Sequence, residues 1–159
     1  MTENIHSLVE RAELLAQQFP KCSREQALTY ACELLADELV GTRVMRDDEL
    51  EPWLHAVCHR EDIDVPHLHM ARARTRSLAS TDIDSNVICL YGRNTTLSTL
   101  IHELAHGSVR IPGHGVLFRD ELVRLTRAHL SVEYAALLHS LFVGLGVEAA
   151  PWGASAHRR

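Results

Sequence analysis

An α+β fold is predicted: a small, mostly antiparallel sheet packed against one amphipathic helix, with a helical N-terminal third and two C-terminal helices. Three observations predict it. Apolar residues recur at helical spacing through the first third, the period changes to strand-like runs between residues 66 and 91, and it returns to helical spacing from Leu97 onward.

The elements follow in order. Thr2 can cap a first helix that carries Ile5, Leu8, Val9, Ala12, Leu15 and Ala16 on one face and ends at Phe19-Pro20. Ser23 with Gln26 has the form of a capping box and opens a second helix, with Ala27, Leu28, Ala31, Leu34, Leu35 and Leu39 along its apolar face and a stop at Gly41. A shorter third helix is expected from about Glu51 to His59. The segment "PHLHMARARTRSLAS" alternates loosely, "TDIDSN" is a turn cluster, and "VICLYG" is a short run of strand formers, which together predict two or three strands with a hairpin near Asp82 to Asn86. Leu97, Leu100, Ile101, Leu104 and Ala105 then form the apolar face of a helix capped near Asn94 to Thr96 and closed at Gly107. Two more helices are expected, from about Val116 to Leu130 and from Ser131 to about Gly144. Residues 1–150 read as a single domain and 151–159 as a mobile tail.

At 159 residues with 46% apolar content, the chain is long enough to bury a core. "MTENIHSLVERAELL" lacks a basic-then-apolar leader and no apolar run approaches the roughly 20 residues that cross a bilayer, so the expected compartment is the cytoplasm, with no membrane partner. Cys22, Cys32, Cys58 and Cys89 are widely spaced and form no C-x-x-C pair, so neither a disulfide framework nor a zinc ribbon is indicated and they read as reduced, mostly buried thiols. A net charge of −5 argues against a general nucleic-acid binder, although a local basic patch can coexist with it.

The chemistry concentrates in "LIHELAHGSVRIPGHGVLF". His102 and His106 are i and i+4, so a helix sets both rings on one face, about a turn apart, where two imidazoles can share an ion. At about 100° per residue the apolar stripe lies nearly opposite that pair, and the helix is expected to pack one side and present the other. Glu103 lies about 80° from the pair's mean direction, too far around to join them as a ligand but placed to reach a water on the ion. That is the arrangement metal-assisted hydrolysis uses: zinc polarises water and a carboxylate takes its proton. With 11 histidines in the chain, a chance H-E-x-x-H has odds of about one in twenty, so the weight rests on its context in a well-patterned helix after a strand.

A catalytic zinc keeps three protein ligands. His114 is the candidate for the third, with Gly113 and Gly115 expected to permit a tight approach after a left-handed Gly107 turns the chain back. Glu121 on the following helix is its rival, and Asp120 an alternative outer partner orienting a histidine. His114 is favoured by ligand type and loop setting. Elsewhere, His55, Cys58 and His59 have metal-compatible spacing without an acidic partner, and His67 and His69 share one strand face. Arg72, Arg74 and Arg76 alternate into a basic stripe that could steer an acidic or phosphate-bearing partner. Tyr134, Arg110, His129 and His139 carry groups suited to stabilising a transition state.

On "HELAH" and "GHGVLF" the chain resembles the zincin metallopeptidases, more narrowly the SprT-like group, and also small metallohydrolases of similar length from actinobacteria. The resemblance covers roughly Ser85 to Leu130. It implies a zincin-like metallohydrolase domain, zinc (Zn2+) bound by His102, His106 and His114, Glu103 as general base, and a peptide or protein substrate. It also implies that substrate lies extended along an edge strand, here the segment around Val87 to Tyr91. SprT-like proteins acting on DNA-linked substrates often add DNA-binding elements or a zinc ribbon, whereas this chain has no cysteine ribbon and a net charge of −5. A zinc-stabilised, non-catalytic module that recruits protein or DNA through the basic strand face is the alternative expectation.

Overall fold

A computed structural model describes residues 3–73 and 77–157. In chain order its elements are α1 (Ile5–Ala16), α2 (Arg24–Leu39), α3 (Asp47–Glu61), β1 (His67–Ala71), β2 (Ala79–Asp82), β3 (Val87–Tyr91), α4 (Leu97–Val109), α5 (Val116–His129) and α6 (Val132–Gly144). The fold is therefore α+β. No helix among the described residues is long and apolar enough to cross a membrane. Backbone contacts divide the chain into two units, one of residues 1–41 with 113–157 and one of residues 42–112.

The first unit is helical. The Asn4 side chain caps α1 by accepting from the Ser7 amide, the expected cap Thr2 lying outside the described residues, while Ser23 caps α2 from Gln26 and Ser131 caps α6 from Tyr134. α2 packs against α1 and α6, and α6 also packs against α1 and α5. Small residues make this possible: Ala27, Ala31 and Ala36 on α2 are buried, and a Cβ added at Gly144 would stand 2.5 Å from Val9 Cγ2. Phe118, Leu122, Leu125, Leu138, Leu141 and Phe142 fill the core between α5 and α6. Tyr134 is 1% exposed, and its hydroxyl donates to Asp37 Oδ1 at 2.7 Å, so the one polar atom of a large buried ring is satisfied. The segment expected to be a mobile tail carries several bonds: Arg124 Nη1 donates to the Ala156 carbonyl at 2.8 Å, and the Arg127 guanidinium lies 4.4 Å from the centre of the Trp152 ring.

The second unit holds the sheet and the H-E-x-x-H helix. α3 begins at Asp47, four residues earlier than expected, because Asp47, Asp48 and Glu49 suit the positive end of the helix dipole and Glu49 Oε2 accepts from the Arg46 amide at 2.9 Å. Pro52 masks that start in the sequence. β2 and β3 form the expected hairpin, with Asp82 opposite Val87, Asn86 left-handed at φ 54° and Asp82 Oδ1 accepting from the amides of Asp84 and Ser85.

The expectation of a mostly antiparallel sheet is corrected. The strand order is β1-β3-β2, with β1 and β3 parallel and β2 and β3 antiparallel, so one ladder is of each kind. Chain direction alternates from strand to strand, and placing β3 between β1 and β2 makes the first and third strands codirectional neighbours. Val87 to Tyr91 is consequently the central strand, paired on both sides, and cannot be the edge along which a peptide adds. α4 packs on β2, with Leu100, Ile101, Leu104 and Ala105 buried together with Ile88 and Leu90 of β3.

Candidate metal centre

α4 is firmly started. Thr96 Oγ1 accepts from the Thr99 amide, the Thr42 hydroxyl accepts from the Ser98 amide at 3.0 Å, and the Leu97 amide donates to the Arg43 carbonyl at 2.8 Å. Its end differs from expectation. Gly107 lies inside the helix, and the left-handed residue is Arg110, at φ 55°, whose amide donates to the His106 carbonyl. A glycine in a helix costs only about 1 kcal/mol relative to alanine, a penalty this buried helix tolerates.

The helix is not apolar on one side and open on the other. His102, Glu103 and His106 are each only 6–7% exposed, so the polar face is covered as well. The two imidazoles meet at an angle, with ring centres 5.1 Å apart. His106 Nδ1 lies 2.9 Å from the Ile111 carbonyl oxygen, and since a carbonyl can only accept, Nδ1 carries the proton and Nε2 the lone pair. Burial, and after it the proximity of His102, hold the His106 pKa down at about 4, so the ring is neutral at pH 7.

His114 stands between α4 and α5, at 8% exposure. Its ring takes edge-on contacts from Tyr30, at 5.2 Å between centres, and Phe118, at 4.7 Å. The flanking glycines do not hold it by special backbone angles: neither Gly113 nor Gly115 has a positive φ, and an added Cβ at Gly113 would meet nothing. His102, His106 and His114 each offer one ring nitrogen, and these three atoms all lie within 4.8 Å of one another. The three residues belong to one continuous stretch of chain. Three buried imidazoles, of which His106 is held neutral with its tautomer set by a backbone carbonyl, fit a first-row cation.

Glu103 does not stand alone beside the histidines. The Thr81 hydroxyl donates to Glu103 Oε2 at 2.6 Å and also lies 3.1 Å from the Glu103 carbonyl. Thr81 escaped the sequence reading, since a threonine alternating in a short strand has no signature of its own. Thr81 also lines a cavity of ≈ 220 Å³ along with Asp62, Ile88, Leu104, Ser108 and Arg110.

The other candidates fall elsewhere. Glu121 is held by Arg124 through two bonds of 2.9 Å and Asp120 accepts from the Ala150 amide, and the close group of possible metal ligands consists of the three histidines. His55 and His59 are exposed while Cys58 is buried, and no metal-binding group forms there among the described residues. His67 and His69 are exposed on β1. Arg72 follows the end of β1 and is exposed, whereas Arg74 and Arg76 lie outside the described residues. Tyr134 is occupied by Asp37, and His139 donates from Nε2 to the Ala150 carbonyl at 2.8 Å, while Arg110 borders the cavity beside Thr81. His129 lies in the last turn of α5.

The second residue the sequence reading missed is Arg119. It is 1% exposed on the apolar side of α5, in register with Leu122 and Thr126, and a charged residue on an apolar stripe was the available signal. Compared with known proteins, the chain matches no protein-family model, no curated protein and no solved structure.

Proposed function

We propose that this chain is a zinc-dependent hydrolase, a metallopeptidase of the zincin, SprT-like kind, acting on peptide or protein substrates. The observation that carries the reading is the convergence of His102, His106 and His114 within 4.8 Å, with Glu103 one residue from the first of them on the same helix. His102, His106 and His114 would hold the zinc, which would supply a Lewis acid to polarise a bound water. The chain's own part is positional. The Ile111 carbonyl fixes the His106 tautomer, and Thr81 holds Oε2 of Glu103, the carboxylate that would accept a proton from the attacking water. An extended peptide adds to a free sheet edge, and β2 is the edge strand that touches Glu103. The cavity beside Thr81 is suited to a substrate side chain.

Glu103→Gln tests this reading. The variant should retain one zinc per chain and lose about 10²–10⁴-fold in turnover of a peptide library. Full activity in that variant refutes the assignment.

A second reading draws on the burial of all four residues, which suits a zinc that stabilises the fold with its coordination closed. In that reading the chain is a non-catalytic module recruiting protein or DNA. It predicts no hydrolysis of any peptide, and salt-sensitive DNA binding lost when Arg72, Arg74 and Arg76 are replaced. A zinc-bound water in a crystal structure, with Glu103 directed at it, would exclude it.

A further inference from the structure

We infer that Arg119 is a positioning residue for the third metal ligand, holding the backbone of His114 in the conformation that presents its ring. The inference rests on the zinc reading and names a part of the chain that the H-E-x-x-H pattern does not contain.

Arg119 sits in the first turn of α5, where side chains lean back toward the helix start. Its guanidinium therefore reaches the residue just ahead of the helix, and Nη1 donates to the His114 carbonyl at 2.6 Å. Nη2 and Nε donate to the Glu148 carbonyl at 2.6 and 3.3 Å, and Nη1 lies 3.4 Å from Glu25 Oε2. One planar fork thus ties His114 to the segment that follows α6. On the other side the group lies over the Phe142 ring, 5.9 Å from its centre.

The placement is costly without such a purpose. A guanidinium at 1% exposure has lost its hydration, and a cation in the first turn opposes the helix dipole. A methionine or leucine would fill the same volume beside Leu122 without either cost. What the arginine adds is a fixed carbonyl at His114. That matters because His114 stands between Gly113 and Gly115, residues of the type with the most backbone freedom to lose on folding. Phe118 and Tyr30 confine the ring, and Arg119 confines the backbone that carries it.

The test is zinc affinity of the full-length chain, measured by competition with a chromophoric chelator. Arg119→Lys keeps the charge and loses the fork; it should bind zinc 10- to 100-fold more weakly than the wild type, the usual cost of losing an outer-shell partner. In a His114→Ala background the same substitution should cost nothing further, because the residue it acts through is gone. Equal affinity of Arg119→Lys and the wild type, or the same loss in both backgrounds, overturns the inference while the zinc site stands. A wild type that takes up no zinc overturns both. If Arg119→Lys does not fold, the unmodified chain still decides: zinc should slow solvent exchange of the Arg119 guanidinium protons, and exchange unchanged by zinc counts against the assignment.

Discussion

Thr81 Oγ1 and Glu103 Oε2 are 2.6 Å apart, a hydrogen bond that joins an edge strand to the helix bearing the metal-binding pattern. A buried carboxylate that loses such a donor loses a charge-assisted hydrogen bond that water cannot readily replace. Thr81→Val, which keeps the shape, should therefore lower stability by about 1–3 kcal/mol in urea unfolding, and Thr81→Ser should restore most of it. Equal stability of the valine variant and the wild type would show that the bond contributes nothing.

Metal removal gives a second expectation. An ion that binds only the folded chain adds stability that grows with its concentration, about 4 kcal/mol at 1,000 times its Kd. Saturating zinc should raise the melting temperature of the chelator-stripped chain. In His102→Ala, His106→Ala or His114→Ala that rise should shrink severalfold, and an unchanged rise in all three would move the metal elsewhere.

Acid stability of the metal-free chain follows from His106. Its folded pKa lies near 4, below the ordinary 6.5, so between these values the unfolded chain binds a proton that the folded chain refuses. The stabilising difference is complete above pH 6.5 and is lost as pH falls toward 4, by at most about 3 kcal/mol. His106→Gln should flatten that part of the pH–stability curve. A parallel curve for variant and wild type would contradict the expectation.

The thiols offer a reactivity test. Burial raises the pKa of Cys58 to about 11 and pushes Cys32 up further in the same direction. Neither should be alkylated by iodoacetamide at pH 8 in the folded chain, and both should react in denaturant, as read by mass spectrometry. Rapid labelling of Cys32 in the native state would show that α2 opens readily.

Close packing of α1 on α6 gives the last. Gly144→Ala brings a Cβ to 2.5 Å from Val9 Cγ2, and a β-branched side chain has little room to yield. A cost of about 1–3 kcal/mol is expected in thermal unfolding. Combining it with Val9→Ala should recover part of that loss.

How much of this was legible in the sequence depends on the range of each interaction. Ser23, Thr96 and Ser131 cap helices through bonds three residues away, and α4, α5 and α6 begin close to where their caps and periods place them. His102 and His106 follow from one turn of helix, and His114 from a short step beyond it. Period alone could not tell that the His102–His106 side of α4 is covered too, because it marks which face is apolar and says nothing of what lies against the other. The strand order β1-β3-β2 depends on pairing across about twenty residues, which local pattern does not specify. Thr81 and Arg119 act through contacts formed only once chain segments have met, and of the two only Arg119, by its place among apolar neighbours, left a trace.

The central place of β3 has a consequence for how the second unit comes apart. Ile88 and Leu90 are buried, and β1 pairs with all five residues of β3 while β2 pairs with Val87 to Leu90 of the same strand. Neither β1 nor β2 has another strand to hold it among the described residues, so opening β3 dissolves the whole sheet in one cooperative event. The amides of β3 are accordingly expected to be the slowest of the three strands in native-state hydrogen exchange, and Thr81 should lose its hold on Glu103 only when they open.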